Sequence, residues 1–249
     1  MSNCLQLVAN MAEYAFDLGE RMRQDPELET LYNESFFKMQ LESEKLTLAD
    51  VCVTKEKMLS PGKEDLTVMD LFLDRLYAMR LVYAKGCTRI PMHDHEGMYG
   101  IIRVLEGKML IKPFDLEEPT RQAELMPARR KEYEMLDPGY GTFSFTPKKG
   151  NIHAMDVPVD TIFLVVSGPS KIEPDEPAKS CNYFAVQKMY KNGNAWLKRL
   201  KPPHDVKEIK FDSLPWEPYD GFVWRKMHDI EKIVKEYSNL KRSDGNLGC

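Results

Sequence analysis

The stretch Arg89-Ile90-Pro91-Met92-His93-Asp94-His95-Glu96-Gly97-Met98-Tyr99-Gly100 determines how the rest of the chain is interpreted. It follows an alternating run that predicts a β-strand, and side chains two residues apart in an extended chain point to the same face. His93 and His95 can therefore hold one metal ion together, while Asp94 faces the other way. A third histidine, His153, comes later, and these three are most of the five histidines in the chain. The pattern predicts a mononuclear metal site.

Composition excludes several classes of protein. The chain has 249 residues and 43% hydrophobic content, enough for one domain of moderate size or a domain with helical extensions. A net charge of −4 and a pI near 5.8 argue against a dedicated nucleic-acid binder. No apolar run reaches the roughly 18 residues of a membrane span, and the first residues lack the features of a secretory signal. Five scattered cysteines fit a reducing compartment, so we expect the cytosol and leave the nucleus open.

Helical and β patterns occupy different parts of the chain. Apolar spacing predicts helices over residues 3–21 and 29–42, and a turn cluster at residues 60–65 marks where β structure begins. A last helical pattern covers residues 226–240.

Between residues 67 and 190, short runs rich in β-branched and aromatic residues are separated by Gly and Pro turns. The predicted strands are residues 76–84, 99–105, 108–114, 142–146, 161–166 and 182–189. Glu106-Gly107 is a hairpin signal between two of them. Residues 117–138 are charged and have few strand formers, so we expect a surface excursion there.

Three neutral imidazoles suit Fe, Zn, Cu or Ni. Such a set leaves up to three positions open on an octahedral ion, an arrangement that suits a metal holding an anionic substrate and O2 side by side. A structural zinc site would instead be closed by four ligands.

The spacing of glycines and histidines adds specificity to this interpretation. Three features together resemble the two cupin motifs. They are His-x-His with Gly107 twelve residues after His95, Gly141 before Pro147, and the string Gly150-Asn151-Ile152-His153. Most cupins also place a ligating Glu four or five residues after the second His. Tyr99 and Gly100 occupy those positions, so the usual fourth ligand is absent.

A more specific resemblance is to the cysteamine dioxygenase and plant cysteine oxidase family. It is carried by Ile90-Pro91-Met92-His93-Asp94-His95-x-Gly97-Met98 with Val104-Leu105-x-Gly107, by the string at residues 150–153 and by Cys181-Asn182-Tyr183-Phe184. A weaker match is Trp216-Glu217-Pro218-Tyr219-x-Gly221. The resemblance covers roughly residues 67–222.

This resemblance implies a thiol dioxygenase that holds Fe(II) through His93, His95 and His153. Members add both atoms of O2 to a thiol and give a sulfinic acid. The implied partners are O2 and either cysteamine, which becomes hypotaurine, or an exposed N-terminal cysteine of a protein, which marks that protein for oxygen-dependent degradation. The resemblance also favours a monomer.

Two positions depart from the family pattern. The residue after the second His is usually Pro and is Glu96 here, which adds charge near the mouth of the site. The family carries an Asp after the third His at the position that aligns with Val165, so substrate orientation or a supporting hydrogen bond is affected. An alternative is therefore a degenerate cupin that binds a small thiol or a protein partner without turnover. A further rival is a zinc or nickel cupin hydrolase or isomerase.

Other residues are candidates for the pocket. Cys181 and Tyr183 share a strand face and are assigned a catalytic role, because such a pair cross-links in some relatives; ordinary packing is the alternative. Met98 and Tyr99 are assigned to the pocket lining, with a plain core role as the alternative. Asp94 is interpreted as a turn-stabilising or supporting carboxylate near the site.

The sequence therefore predicts an all-β fold, a cupin double-stranded β-helix (jelly-roll barrel) with N-terminal helices and a short C-terminal helix. The expected divisions are a helical extension packing on the barrel (residues 1–60), the cupin thiol dioxygenase domain (61–225) and a C-terminal helix and tail (226–249).

Overall fold

A computed structural model of the protein describes residues 4–59, 64–117, 124–169, 181–202, 204–207 and 209–216. The predicted C-terminal helix and most of the Trp216–Gly221 string lie outside the described residues. The chain divides into a helical unit that ends at Cys52 and a β unit over Val53–Trp216.

The helical unit contains two long helices, α1 (Cys4–Met22) and α2 (Glu29–Ser43). A short 3-10 helix at Pro26–Leu28 joins them, with Asp25 capping its start. The rings of Phe16 and Phe36 meet edge to face between the two helices, 6.4 Å apart. Both predicted helices therefore form within two residues of the expected ends, because their apolar spacing matches the helical period.

The β unit begins with a short helix, α3 (Lys55–Met58), and continues as strands. The strands in chain order are β1 (Leu66–Leu73), β2 (Ala78–Ala84), β3 (Thr88–His93), β4 (Tyr99–Glu106), β5 (Met109–Leu116), β6 (Leu125–Arg130), β7 (Glu134–Leu136), β8 (Thr142–Phe145), β9 (Ile152–Val157), β10 (Thr161–Gly168), β11 (Tyr183–Met189), β12 (Asn194–Leu200) and β13 (Asp212–Leu214).

These strands form two sheets that share an apolar core, and a smaller apolar cluster lies on the second sheet. The first sheet has the order β13-β1-β2-β10-β4-β8, and the second has the order β6-β12-β11-β3-β9-β5-β7. Apolar side chains from both sheets meet in a single cluster, for example Val82 and Phe163 from the first sheet with Ile111 and Met155 from the second. The predicted cupin fold class is confirmed. No helix among the described residues is both long enough and apolar enough to cross a membrane.

The predicted surface excursion at residues 117–138 is partly wrong. Within it, β6 pairs with β12 and β5, and β7 pairs with β5. Both strands are short, and exposed or half-buried residues in them are interspersed with buried ones. Charged residues are tolerated at such positions, and the sequence therefore lacks the apolar run that marks a central strand.

The predicted hairpin at Glu106-Gly107 is also wrong. Strand β4 belongs to the first sheet and β5 to the second, so the chain crosses between sheets at this turn. Gly107 has φ +88°, and a Cβ placed on it would lie 2.3 Å from the backbone oxygen of Asp160. Thr161 stabilises this turn, because its hydroxyl donates a hydrogen bond to the Lys108 carbonyl and accepts one from the Lys108 N–H.

Gly107→Ala is expected to destabilise the β unit. The substitution combines a left-handed backbone with a backbone clash, so the free energy of unfolding should fall by about 1–3 kcal/mol. Denaturant unfolding measures the change. Gly139→Ala is the matched control, because its Cβ would meet only a carboxylate oxygen of Asp137 at 3.3 Å. Equal stability of the two variants would contradict the tight crossing.

Candidate metal centre

Two neighbouring strands and one loop bring the three predicted histidines together. His93 ends β3, and His153 lies opposite it on β9 as its antiparallel partner. His95 follows in the loop between β3 and β4. One potential ligand atom from each of the three side chains lies within 4.8 Å of the other two, and the described residues contain no other such group of His, Cys, Asp and Glu. Antiparallel pairing explains how residues 60 positions apart meet.

Backbone carbonyls set the orientation of two of the rings. Nδ1 of His93 lies 2.8 Å from the Pro91 oxygen, and Nδ1 of His153 lies 2.9 Å from the Gly150 oxygen. Because a carbonyl only accepts, we assign the proton to Nδ1 in both rings, which leaves Nε2 with its lone pair free. Gly150 reaches this position with φ +62°, a conformation that favours glycine.

The imidazoles remain neutral at physiological pH. Burial is the main cause of the lowered pKa of all three rings. For His153, burial and the neighbouring His93 lower the pKa to about 3. The pKa of His95 falls well below its ordinary value through burial, the other two rings and the positive charge of Arg80. Neutral imidazoles are the form that binds a metal.

A metal ion fits this arrangement. Nε2 of His153 is buried and has no hydrogen-bond partner among the described residues. An unsatisfied polar atom at such a depth is costly, whereas a bound cation would satisfy it. The donor set of three nitrogens suits Fe(II), Zn(II), Cu(II) or Ni(II). The site therefore has the chemistry of a transition-metal centre.

The protein supplies no carboxylate where most cupins have their fourth ligand. Gly100 pairs with Ser167, a pocket-lining residue, so Gly100 faces the pocket and its neighbour Tyr99 faces away. A Cβ on Gly100 would lie 2.3 Å from the ring of Phe145. That ring in turn stacks on His95 at 4.7 Å. The ring of Phe145 therefore occupies the space that a ligating side chain at position 100 would need.

Asn151 fixes the loop that carries His95. Its side-chain oxygen accepts from the His95 N–H at 3.1 Å, and its Nδ2 donates to the carbonyls of His95, Met98 and Thr146. The residue is buried with 2% exposure. Asn151 belongs to the Gly150-Asn151-Ile152-His153 motif, but the sequence alone assigns it no role. The signal that would have found it is a polar residue inside a strand-forming run, two positions before a ligand.

Asp94 anchors the other side of the same loop. Its carboxylate accepts from the backbone N–H of Asn182 at 3.0 Å and from Nδ2 of Asn182 at 2.9 Å. The Asp94 N–H donates to the Asn182 carbonyl in return. This buried carboxylate is therefore a structural link between the loop and the segment before β11.

A cavity of about 280 Å³ opens beside the three histidines. Four of the residues assigned to the pocket or to catalysis line it, namely Asp94, Met98, Val165 and Cys181. Most of the remaining lining is apolar, with Glu96 at its exposed edge. A cavity of this volume has room for a small thiol.

Two other assigned residues lie outside the described lining of this cavity. Tyr99 faces away because side chains alternate along β4. Tyr183 is buried beside His93 as its strand partner, and its hydroxyl accepts from the Ile209 N–H at 2.9 Å. Ile209 itself lines the cavity, so Tyr183 supports the wall indirectly. Strand β11 begins at Tyr183, which places Cys181 before the strand. The cross-link between Cys181 and Tyr183 stays a prediction.

Comparison with known proteins gives consistent matches. Residues 34–213 match the sequence model of the PCO_ADO family. The 2-aminoethanethiol dioxygenase of Homo sapiens is 28% identical over 209 residues, which cover 73% of this chain and 76% of the human protein. The Mus musculus enzyme of the same name is 27% identical over 140 residues, 48% of this chain and 54% of the mouse protein. Among solved structures, a cupin superfamily protein from Desulfitobacterium hafniense has 16% identity and a TM-score of 0.32, covering 43% of this chain and 82% of that protein.

Proposed function

Because the chain belongs to the PCO_ADO family of thiol dioxygenases, we propose that it uses Fe(II) to add both atoms of O2 to the thiol of cysteamine or of a protein N-terminal cysteine. His93, His95 and His153 would hold the iron. The observation that carries the proposal is the three-histidine cluster at a small cavity, with no carboxylate ligand beside it.

The reaction balances without a further co-reactant. A thiol RSH and one O2 give the sulfinic acid RSO2H, so the sulfur loses four electrons and the two oxygen atoms gain them. Bound iron would supply the redox and Lewis-acid chemistry that brings the two substrates together.

The residues of the chain position and protect this reaction. The neutral rings leave their lone pairs available, and the backbone carbonyls at Pro91 and Gly150 fix the ring orientation. Asn151 and Asp94 hold the loop from both sides. Apolar side chains such as Ile102 and Phe163 line the cavity and limit its water content.

A second candidate function follows from one position in the pocket. Val165 is apolar where the family pattern has an acid, and it lines the cavity. A pocket without that acid suits a protein that binds a small thiol or a partner without turnover. Such a protein would hold iron and thiol but form no sulfinate.

The deciding experiment loads the protein with Fe(II) without oxygen and then supplies O2 with cysteamine or with a Cys-initiated peptide. We expect O2 uptake and a thiol product that is heavier by two oxygen atoms in mass spectrometry. Zn(II)- and Ni(II)-loaded protein are tested alongside, and the zinc form should be inactive, since zinc has no redox chemistry. Stoichiometric iron without any sulfinate would favour the binding function, and turnover with zinc or nickel alone would favour another cupin enzyme.

A further inference from the structure

One charged side chain interrupts the apolar face that the first sheet presents to the cavity. The lining residues from this sheet alternate along their strands, and those on β2 are Ala78, Arg80 and Val82. Among the described lining residues of this sheet, Arg80 alone is charged. A guanidinium placed among valines and alanines is uncommon without a partner for it.

The partner of Arg80 within the protein uses only part of the guanidinium. Nε of Arg80 donates to a carboxylate oxygen of Asp70 at 2.7 Å, across the β1–β2 pair. The two terminal nitrogens have no hydrogen-bond partner among the described residues. The Arg80 side chain is 36% exposed, so these nitrogens are accessible to a ligand. Paired terminal nitrogens form the fork that binds a carboxylate through two parallel hydrogen bonds.

The position of Val165 leaves this fork available. Val165 is the strand partner of Arg80 on β10, so the two side chains are neighbours on the same face. An acid at position 165, as in the family pattern, would lie beside the guanidinium and compete for it. Valine cannot do so, and the terminal nitrogens of Arg80 therefore stay available on this wall.

Among the described residues, the two carboxylates that line the cavity form no ion pair with Arg80. Both oxygens of Asp94 accept hydrogen bonds from Asn182. Glu96 is exposed on the opposite loop, at the edge of the cavity. Arg80 and the three histidines line the same cavity. A small substrate bound at the histidines therefore lies within the field of Arg80.

We propose that Arg80 is a specificity-determining residue that binds a carboxylate of the substrate, so that the pocket prefers a thiol with a carboxylate a few bonds away over cysteamine. The inference rests on the proposed function. Free cysteine carries such a carboxylate, and so does a Cys-initiated peptide with an acidic second residue. Cysteamine presents only an ammonium group, which Arg80 repels.

Calorimetry without oxygen tests the preference independently of turnover. The ligands are cysteine and cysteinamide, which differ in the carboxylate, together with cysteamine and the C-terminally amidated dipeptides Cys-Glu and Cys-Gln, which differ in the side-chain carboxylate. Iron-loaded wild-type protein should bind cysteine about 10-fold or more tighter than cysteinamide, and Arg80→Gln should reduce that ratio to about 2-fold or less. Arg80→Lys should keep part of the preference, since it retains the charge and loses the fork. The dipeptide pair shows whether the carboxylate can come from a peptide.

Two control variants separate this role from a general structural one. Arg89 lies exposed on β3 and does not line the cavity, so Arg89→Gln should leave the cysteine-to-cysteinamide ratio unchanged. Asp70→Asn removes the negative charge beside Arg80 and keeps an acceptor oxygen, so it should preserve the preference for cysteine. A weakened affinity for cysteamine in this variant would instead assign Asp70 to the ammonium group and overturn the proposal.

The outcomes distinguish this inference from the proposed function. Equal binding of cysteine and cysteinamide by the wild-type protein, or an unchanged ratio in Arg80→Gln, overturns the role of Arg80 even if sulfinate forms. If the protein prefers ligands with a carboxylate but forms no sulfinate from any thiol, the role of Arg80 stands and the proposed dioxygenase activity is rejected.

Discussion

His153→Ala is expected to lose both iron and thiol oxidation. His153 is fully buried, and its Nε2 has no other partner among the described residues, so the side chain has no evident role apart from the centre it forms with His93 and His95. Changes outside the ligand set typically weaken metal affinity about 10–100-fold, and removal of one of three ligands should exceed roughly 100-fold. Metal analysis after dialysis and sulfinate detection by mass spectrometry measure both losses.

The control for this variant is a histidine outside the centre. His204 lies exposed in the segment before β13, and His204→Ala should keep stoichiometric iron and full activity. Loss of a buried side chain also leaves a cavity, so the melting temperature of the metal-free variants must be compared. If metal-free His153→Ala retains the fold and still binds iron as the wild-type protein does, the proposed centre is wrong.

Asn151→Ala should have the second largest effect. The variant leaves the His95 N–H and three carbonyl groups without their buried partner, which we expect to lower the free energy of unfolding by about 2–3 kcal/mol. His95 would also lose its fixed position relative to His153. Iron affinity should therefore fall roughly 10–100-fold, although Asn151 binds no metal itself.

Two variants control the Asn151 prediction. Asn151→Asp keeps an acceptor for the His95 N–H but loses both Nδ2 hydrogens, so it should resemble the alanine variant if donation to the carbonyls matters most. Asn192 accepts a hydrogen bond in an exposed turn, and Asn192→Ala should change neither stability nor iron content. Unchanged iron affinity in Asn151→Ala would show that the loop holds its shape without this residue.

Local signals predicted helices and many short strands, and the resemblance to the cupin motifs supplied the fold class. Periodicity located α1 and α2, and alternating or apolar runs located strands such as β4, β5 and β10. The short strands β6 and β7 were not predicted, because exposed or half-buried residues interrupt the apolar run in each. The Glu106-Gly107 turn was misinterpreted because a hairpin and a crossing between sheets both require a glycine with positive φ.

The three ligand histidines could be predicted from the sequence, whereas the residues that hold them in position could not. His-x-His spacing and a distant matching motif were enough to bring His93, His95 and His153 into one hypothesis. The roles of the supporting residues depend on which strands are neighbours, and local sequence does not predict strand pairing. These residues are Asn151, Asp94 with Asn182, and Arg80. The pairing of Arg80 with Val165, for example, needs the register of β2 against β10. The domain boundaries and the packing of the N-terminal helices stay predictions.

The contact between Gly100 and Phe145 limits how this centre can evolve. A ligating Glu at position 100 would require the side chain of Phe145 to move or be replaced, since even a Cβ on residue 100 would lie 2.3 Å from its ring. Replacing Phe145 first would remove the ring that stacks on His95 before any new ligand arrived. A protein with only one of the two substitutions would have a disrupted core or a less well supported His95. Epistasis between positions 100 and 145 therefore keeps a lineage with this core at three protein ligands. Exchange to a four-ligand centre would need both substitutions at once.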